Sequence, residues 1–274
     1  MSWRFLRRRR AQQGVAAEDI DPRALERAEL KKLSRLPRGS RACVRLSGID
    51  WTITDAPGFA HMFDDYFVQE HYRFEAGTSS PFIIDCGANI GVGVRYWKHL
   101  YPGARVLAIE PDAGSFAALE ANSRDLTDVT LLKKAAWTDD TPLEFSVAGN
   151  DGGHLSLLTE RQNPVPVVTV DGVRVRDLIN EPVHLLKLDI EGSELQVLSD
   201  CADKLSLVEK MFVEFHSFAR QQQRLSDFTG IIERAGFRMY GRVEDPASQP
   251  FLNRPVFNEK DFRLNLWCYR AGPG

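Results

Sequence analysis

The sequence predicts an α/β fold: a doubly wound, mostly parallel sheet with helices on both faces. Two observations carry this. From Pro81 onward, short apolar runs of strand length alternate with helical segments, the pattern of parallel strands joined by crossovers. One run, Phe82-Ile83-Ile84-Asp85-Cys86, passes directly into the glycine-bearing turn Gly87-Ala88-Asn89-Ile90-Gly91. Glycines at 87 and 91 tolerate a sharp bend and let a ligand approach main-chain atoms. The turn lies at a strand's carboxyl end, where open α/β sheets bind ligands.

The elements follow in order. Asp21-Pro22 reads as a helix cap with proline in the first turn, and Leu25, Ala28, Leu33 and Leu36 lie among charges before Pro37 and Gly39 end the run. This amphipathic segment, with the basic start Met1 to Arg10, makes an arm over residues 1–40. It can pack on the main domain, on a second copy in a homo-oligomer or on a substrate. Residues 41–80 carry short apolar stretches and aromatics such as Trp51, Phe59, Phe63, Tyr66 and Tyr72, read as a lead-in or cap. The main domain is expected over 81–274.

Within it, a helix from about Gly91 to Leu100 follows the glycine turn. A strand then ends at Glu110, a helix spans Ala113 to Asn122 and a strand Val129 to Leu132. Leu143 to Val147 and Leu155 to Leu158 suggest a hairpin around Gly149-Asn150-Asp151-Gly152-Gly153, and Val165 to Val170 is strand-like. His184 to Asp189 reads as a buried strand ending in an acid, Ser193 to Leu198 begins a helix, and Lys210 to His216 repeats the strand design. A helix from Asp227 to Ala235 stops at Gly236, and Phe237 to Tyr240 and Leu264 to Tyr269 close the sheet. Asp85, Glu110, Asp189 and Glu214 thus fall at strand ends, which a parallel sheet gathers along one edge.

Composition narrows the class. The chain has 274 residues, 43% hydrophobic and 27% charged, enough to bury a full core. A net charge of −3 makes no general case for nucleic-acid binding, although the basic start could attract phosphate or an anionic membrane surface. No apolar segment approaches the roughly 20 residues that span a bilayer, and no signal-like apolar core follows the arginines, so a cytoplasmic protein is expected. Cys43, Cys86, Cys201 and Cys268 are dispersed without a Cys-x-x-Cys pair, arguing for buried thiols over a zinc or redox motif.

The acids define the ligand. Glu110 stands about 20 residues past the glycine turn, the spacing of a ribose-binding carboxylate, so a nucleoside is suggested. Glycines at 87, 91 and 93 do not make the Gly-x-Gly-x-x-Gly of dinucleotide enzymes, and Asp85 would repel a pyrophosphate. A cationic nucleoside without phosphates, S-adenosylmethionine, fits better than NAD.

At these residues the chain resembles class I S-adenosylmethionine-dependent methyltransferases, and the FkbM family in particular. The matching segments are Asp85 to Gly91, Ile109-Glu110-Pro111, Ala135-Ala136-Trp137, Lys187-Leu188-Asp189-Ile190-Glu191-Gly192-Ser193-Glu194 and Val213-Glu214-Phe215-His216, spread over roughly residues 80 to 270. The resemblance implies a Rossmann-like fold with an antiparallel final strand. It further implies that Asp85, Gly87, Ala88, Asn89 and Gly91 line the methionine portion, that Glu110 binds ribose, and that Ala136 and Trp137 border adenine. O-methylation of a hydroxyl on a small molecule, sugar or secondary metabolite follows from the family.

Deprotonating a hydroxyl needs a base. His216 has the ordinary pKa best suited to that task near neutrality, with Asp189, Glu191 and Glu214 as further catalytic candidates. Lys187 and Asp189 share a strand face and can form an ion pair. Asp189, Glu214 and His216 can also collect Mg, Mn or Zn, the less favoured reading. Competing readings are an N-methyltransferase of the same fold, an NAD-dependent oxidoreductase and a non-catalytic nucleoside-binding scaffold.

Overall fold

A computed structural model describes residues 22–146, 154–155, 166–244, 246–253, 256 and 259–270. The basic start, the capping residue Asp21 and the glycine-rich loop at 149–153 lie outside the described residues.

The first elements form a layer on one face of the sheet. Helix α1 (Pro22–Leu33) precedes a hairpin of β1 (Ala42–Leu46) and β2 (Ile49–Ile53), and α2 (Ala56–Phe63) runs into one π-helical turn at Asp64–Val68. Asp55 caps α2 by accepting from the Gly58 amide, which satisfies one of the helix's orphan donors. Trp51, Phe59, Phe63 and Phe67 pack ring against ring, with Phe63 and Phe67 stacked at 4.7 Å. The aromatics of residues 41–80 are therefore core, sharing one cluster with the sheet-facing side chains of Ile83, Val106 and Ala108.

The main sheet is built from β3 (Phe82–Cys86), α3 (Val92–Leu100), β4 (Arg105–Ile109), α4 (Ala113–Ser123) and β5 (Val129–Leu132). After an excursion, β10 (Val183–Leu188), β11 (Val208–Phe218), β12 (Phe237–Val243) and β13 (Lys260–Arg270) complete it. Its order is β12-β13-β11-β10-β3-β4-β5. The five strands from β11 to β5 are parallel, whereas β13 runs antiparallel to both β11 and β12. The excursion forms a small sheet of β6 (Ala135–Trp137), β7 (Pro142–Ser146), β8 (His154–Leu155) and β9 (Val167–Arg174). The expected hairpin is present in its described part, where Phe145 faces Leu155.

Helices α5 (Val175–Leu178), α6 (Glu194–Asp200) and α7 (Leu225–Arg234) cover the opposite face. Period-two alternation sorts β3 between the layers: Ile83 joins the α3 side, while Ile84 and Cys86 join the α6 and α7 side. This is the strand order of the class I methyltransferase fold that the resemblance implies.

Two expectations need correcting. The strand read over Lys210 to His216 does not end at its acid: β11 continues to Phe218 because β13 pairs with it along its length. Cys43 is exposed, since it occupies the outward position of the alternating strand β1, while the other three cysteines are buried.

Candidate active site

The turn after β3 is shaped by close approach of backbone. Gly87 and Ala88 both donate to the Ile109 carbonyl at 3.0 Å, tying the turn to β4, and the Asp189 amide reaches the Cys86 carbonyl at 3.2 Å. Gly87 has φ +82°, and a Cβ there would lie 1.8 Å from the Asp189 carbonyl oxygen. Only glycine fits. Asn89, also left-handed at φ +49°, turns its side chain back onto the Ile90 amide at 2.7 Å. Gly91 starts α3, and the space a Cβ would need there is occupied by Leu119 of α4. It serves helix packing and is not among the cleft-lining residues.

Glu110 sits one residue beyond β4. One oxygen accepts the Asn89 amide at 2.9 Å and the other the Asp112 amide at 2.8 Å, leaving further lone pairs on each. Burial raises its pKa to about 7 against those two hydrogen bonds. Ala136 lines the cleft beside Glu110. Trp137 does not; it packs among the apolar side chains behind β6.

Lys187 organises the centre. Strand register sets it opposite Asp85. Its ammonium donates to the Gly87 carbonyl at 2.9 Å and lies 3.3 Å from Asp85 and 3.5 Å from Asp189. Burial opposes its charge, but the two carboxylates outweigh that and hold its pKa above the ordinary lysine value. Burial likewise raises Asp85, partly offset by Lys187. The expected Lys187–Asp189 pair is therefore one edge of a triad with Asp85.

The segment after β10 is a tight turn held from within. Glu191 (φ +59°) and Gly192 (φ +109°) both adopt left-handed backbone. Glu194, almost fully buried, compensates by accepting the Ile190 amide at 3.1 Å and the Gly192 amide at 3.0 Å. The same oxygen receives His216 Nδ1 at 2.9 Å.

His216 is the main departure from expectation. It lies inside β11, its side chain 1% exposed, and is not among the residues lining the cleft. Burial works against protonation, but the Glu194 and Glu191 carboxylates prevail and raise its pKa to about 9. As placed here the ring does not reach the cleft surface, and its Nδ1 is held by Glu194. Asp189, Glu191 and Glu214 do line the cleft. Burial first, then Asp189, raises the pKa of Glu214.

Several lining residues had no signal in the sequence. His61, Met62, Asp65, Tyr66 and Tyr72 come from α2 and the π-helical turn region, Phe145 from the small sheet, Glu244 from the residue after β12, and Lys260, Arg263 and Asn265 from β13. Lys260 is ion-paired with Glu191, and Arg263 stands 3.5 Å from Glu214. Tyr66 and Tyr72 stack at 3.9 Å. The cleft thus joins the glycine turn and Glu110 to a set of paired charges.

These features agree with what the chain resembles among known proteins. Methyltransferase 1 of Beauveria bassiana is 26% identical over 175 residues, covering 55% of this chain and 70% of that protein. Hexuronic acid methyltransferase AglP of Haloferax volcanii is 24% identical over 182 residues, covering 60% and 74%. The crystal structure of methyltransferase FkbM from Methylobacillus flagellatus matches at 18% identity and a TM-score of 0.47; the match covers 89% of this chain but only 59% of that one. A model of the methyltransferase FkbM domain matches residues 85–239, from the acid of the glycine turn into β12. That stretch is more than half of the sequence, and the chain belongs to the FkbM methyltransferase family.

Proposed function

We propose that this methyltransferase uses S-adenosylmethionine to methylate a hydroxyl of a small, polar acceptor such as a sugar or a hydroxylated metabolite. The observation that carries the reading is the lining of the cleft, which brings Glu110 and the glycine turn together with Asp189, Glu191 and Glu214. Glu110, with lone pairs left over, would hold the ribose hydroxyls, and the Gly87 to Asn89 backbone the methionine portion. The close approach of Gly87 to the Asp189 main chain ties this turn to the segment after β10. Ala136, with Pro111 and Asp112 nearby in the lining, would border adenine.

Methyl transfer is an in-line displacement, so the protein's work is alignment and exclusion of water. The acceptor O–H bond breaks and its proton passes to a cleft carboxylate. An oxygen lone pair forms the new C–O bond while the C–S bond breaks, its electron pair staying on sulfur to give the neutral thioether. Asp189, Glu191 and Glu214 are the proposed groups for holding the hydroxyl and taking its proton. An amine acceptor would need no such base. The cleft lining mixes charged side chains such as Asp189, Glu191, Glu214, Lys260 and Arg263 with Met62, Tyr66, Tyr72, Phe145 and Ile190, and the charged groups suit a hydroxyl-bearing acceptor. Hexuronic acid methylation by a relative points the same way.

Incubation with deuterated methyl donor and matched panels of polyols, uronates and amines, read by mass spectrometry, tests this. Label is expected on oxygen of a hydroxylated acceptor; label confined to nitrogen overturns the assignment.

A further inference from the structure

We propose that Asp189, Glu214 and His216 form a binding site for one divalent cation at the cleft. Glu214 and His216 come from β11 and Asp189 from the residue after the neighbouring β10, and each offers a ligand atom, all within 4.8 Å of one another. The ring is oriented for the task. His216 Nδ1 is held by the buried carboxylate of Glu194 at 2.9 Å, which fixes the ring and directs Nε2 toward Glu214. A histidine whose far nitrogen is bonded to a carboxylate is the usual arrangement of a metal-ligating imidazole.

The gaps have the right character. His216 Nε2 stands 3.7 Å from Glu214 and 3.8 Å from Glu191, too far for hydrogen bonds. Glu214 Oε1 is buried and makes no hydrogen bond to any described partner. Two ligands each about 2.1 Å from one ion stand about 3.0 to 3.4 Å apart, so a small inward adjustment closes the site. Formal charge agrees. The carboxylates of Asp85, Asp189, Glu191, Glu194 and Glu214 number five, against the three cations Lys187, Lys260 and Arg263 that pair with them. An ion bound there displaces the proton of His216, since only a neutral imidazole ligates a metal, and then balances the two negative charges that remain.

Mixed carboxylate and imidazole ligation suits Mn or Zn, with Mg less well served by the nitrogen. Asp189 and Glu214 open onto the cleft, so an acceptor hydroxyl can complete the coordination. The use of the ion in catalysis rests on the methyl-transfer reading; its binding does not.

The test therefore uses the full chain with neither donor nor acceptor present. Titration with Mn2+ followed by electron paramagnetic resonance should show one saturable site per chain at micromolar metal. D189N and E214Q, both at cleft-lining positions, should weaken it at least 10-fold while far-ultraviolet circular dichroism stays unchanged. E194Q, which alters the ring's orienting partner, should weaken it about 10-fold. Paramagnetic broadening of the His216 ring resonances should accompany saturation. Absence of a saturable site up to millimolar Mn2+, or a site indifferent to D189N and E214Q, overturns the proposal. Label transfer from the donor in metal-free, chelator-treated protein would separately remove the ion from catalysis while leaving the acceptor assignment intact.

Discussion

Replacing Gly87 with alanine tests the geometry of the glycine turn most directly. Two costs act there. The backbone is left-handed at φ +82°, which costs a residue with a Cβ about 1 to 2 kcal/mol. The added carbon would also fall 1.8 Å from the Asp189 carbonyl oxygen. Relieving that overlap means moving backbone by more than 1 Å, and overpacking of this kind costs about 1 to 3 kcal/mol. The sum, about 2 to 5 kcal/mol, corresponds to a fall in melting temperature of roughly 5 to 15 °C for a chain of this size. Gly77 supplies the control, because it is left-handed at φ +65° with nothing within 4 Å of its Cβ position. G77A isolates the backbone cost and should melt only about 2 to 6 °C below wild type. The second readout is affinity for S-adenosylhomocysteine by calorimetry, expected to fall at least 10-fold in G87A and to stay unchanged in G77A. If G87A melts with G77A and binds like wild type, the claim that backbone contact at Gly87 shapes the site is wrong.

Three further outcomes are expected. Glu110 is raised to about 7 by burial, so the folded state binds its proton more tightly than the unfolded chain. This contribution to stability is complete below about pH 4.5 and is lost as pH rises through 7. Urea midpoints from pH 5 to 8 should show a smaller decline in E110A than in wild type, and donor binding should strengthen as Glu110 ionises in wild type alone. K187M strands Asp85 as an unpaired buried charge and should cost about 3 to 5 kcal/mol in urea unfolding, while K187M combined with D85N should recover a substantial part. Asn122, fully buried, bonds to the Thr52 amide and carbonyl and to the Ile90 carbonyl. N122A should cost roughly 3 kcal/mol by leaving these groups unsatisfied, and hydrogen exchange at the Thr52 and Ile90 regions should rise together.

The sequence revealed most where local pattern and tertiary role coincide. The strands to Cys86 and Ile109, and the helices after Gly91 and Pro111, lie within a residue or two of their expected bounds, because apolar runs of strand length and glycine or aspartate stops are local signals. Glu110 and Asp189 stand at the predicted strand ends for the same reason. The burial of His216 was not legible because its surroundings are not local: Glu194 lies 22 residues before it, and only the parallel pairing of β10 with β11 brings the two together. Lys260 and Arg263 were invisible because they come from a strand more than 60 residues beyond the Lys187 to Glu194 segment and gain their role through antiparallel pairing with β11. The aromatics at 51 to 67 looked like a cap since no spacing distinguishes a covering layer from a core; packing alone decides.

The antiparallel insertion of β13 between β11 and β12 also sets a timetable. During synthesis, β3, the glycine turn, β4 and Glu110 leave the ribosome more than 130 residues ahead of β13, a lag on the order of 10 seconds at usual elongation rates. Until β13 arrives, β12 has no neighbour in the main sheet and β11 lacks one flank. Lys260, Arg263 and Asn265 arrive with that strand. That part of the cleft lining is therefore made long after the glycine turn, and a nascent chain holds Glu191 and Glu214 well before the Lys260 and Arg263 that stand beside them.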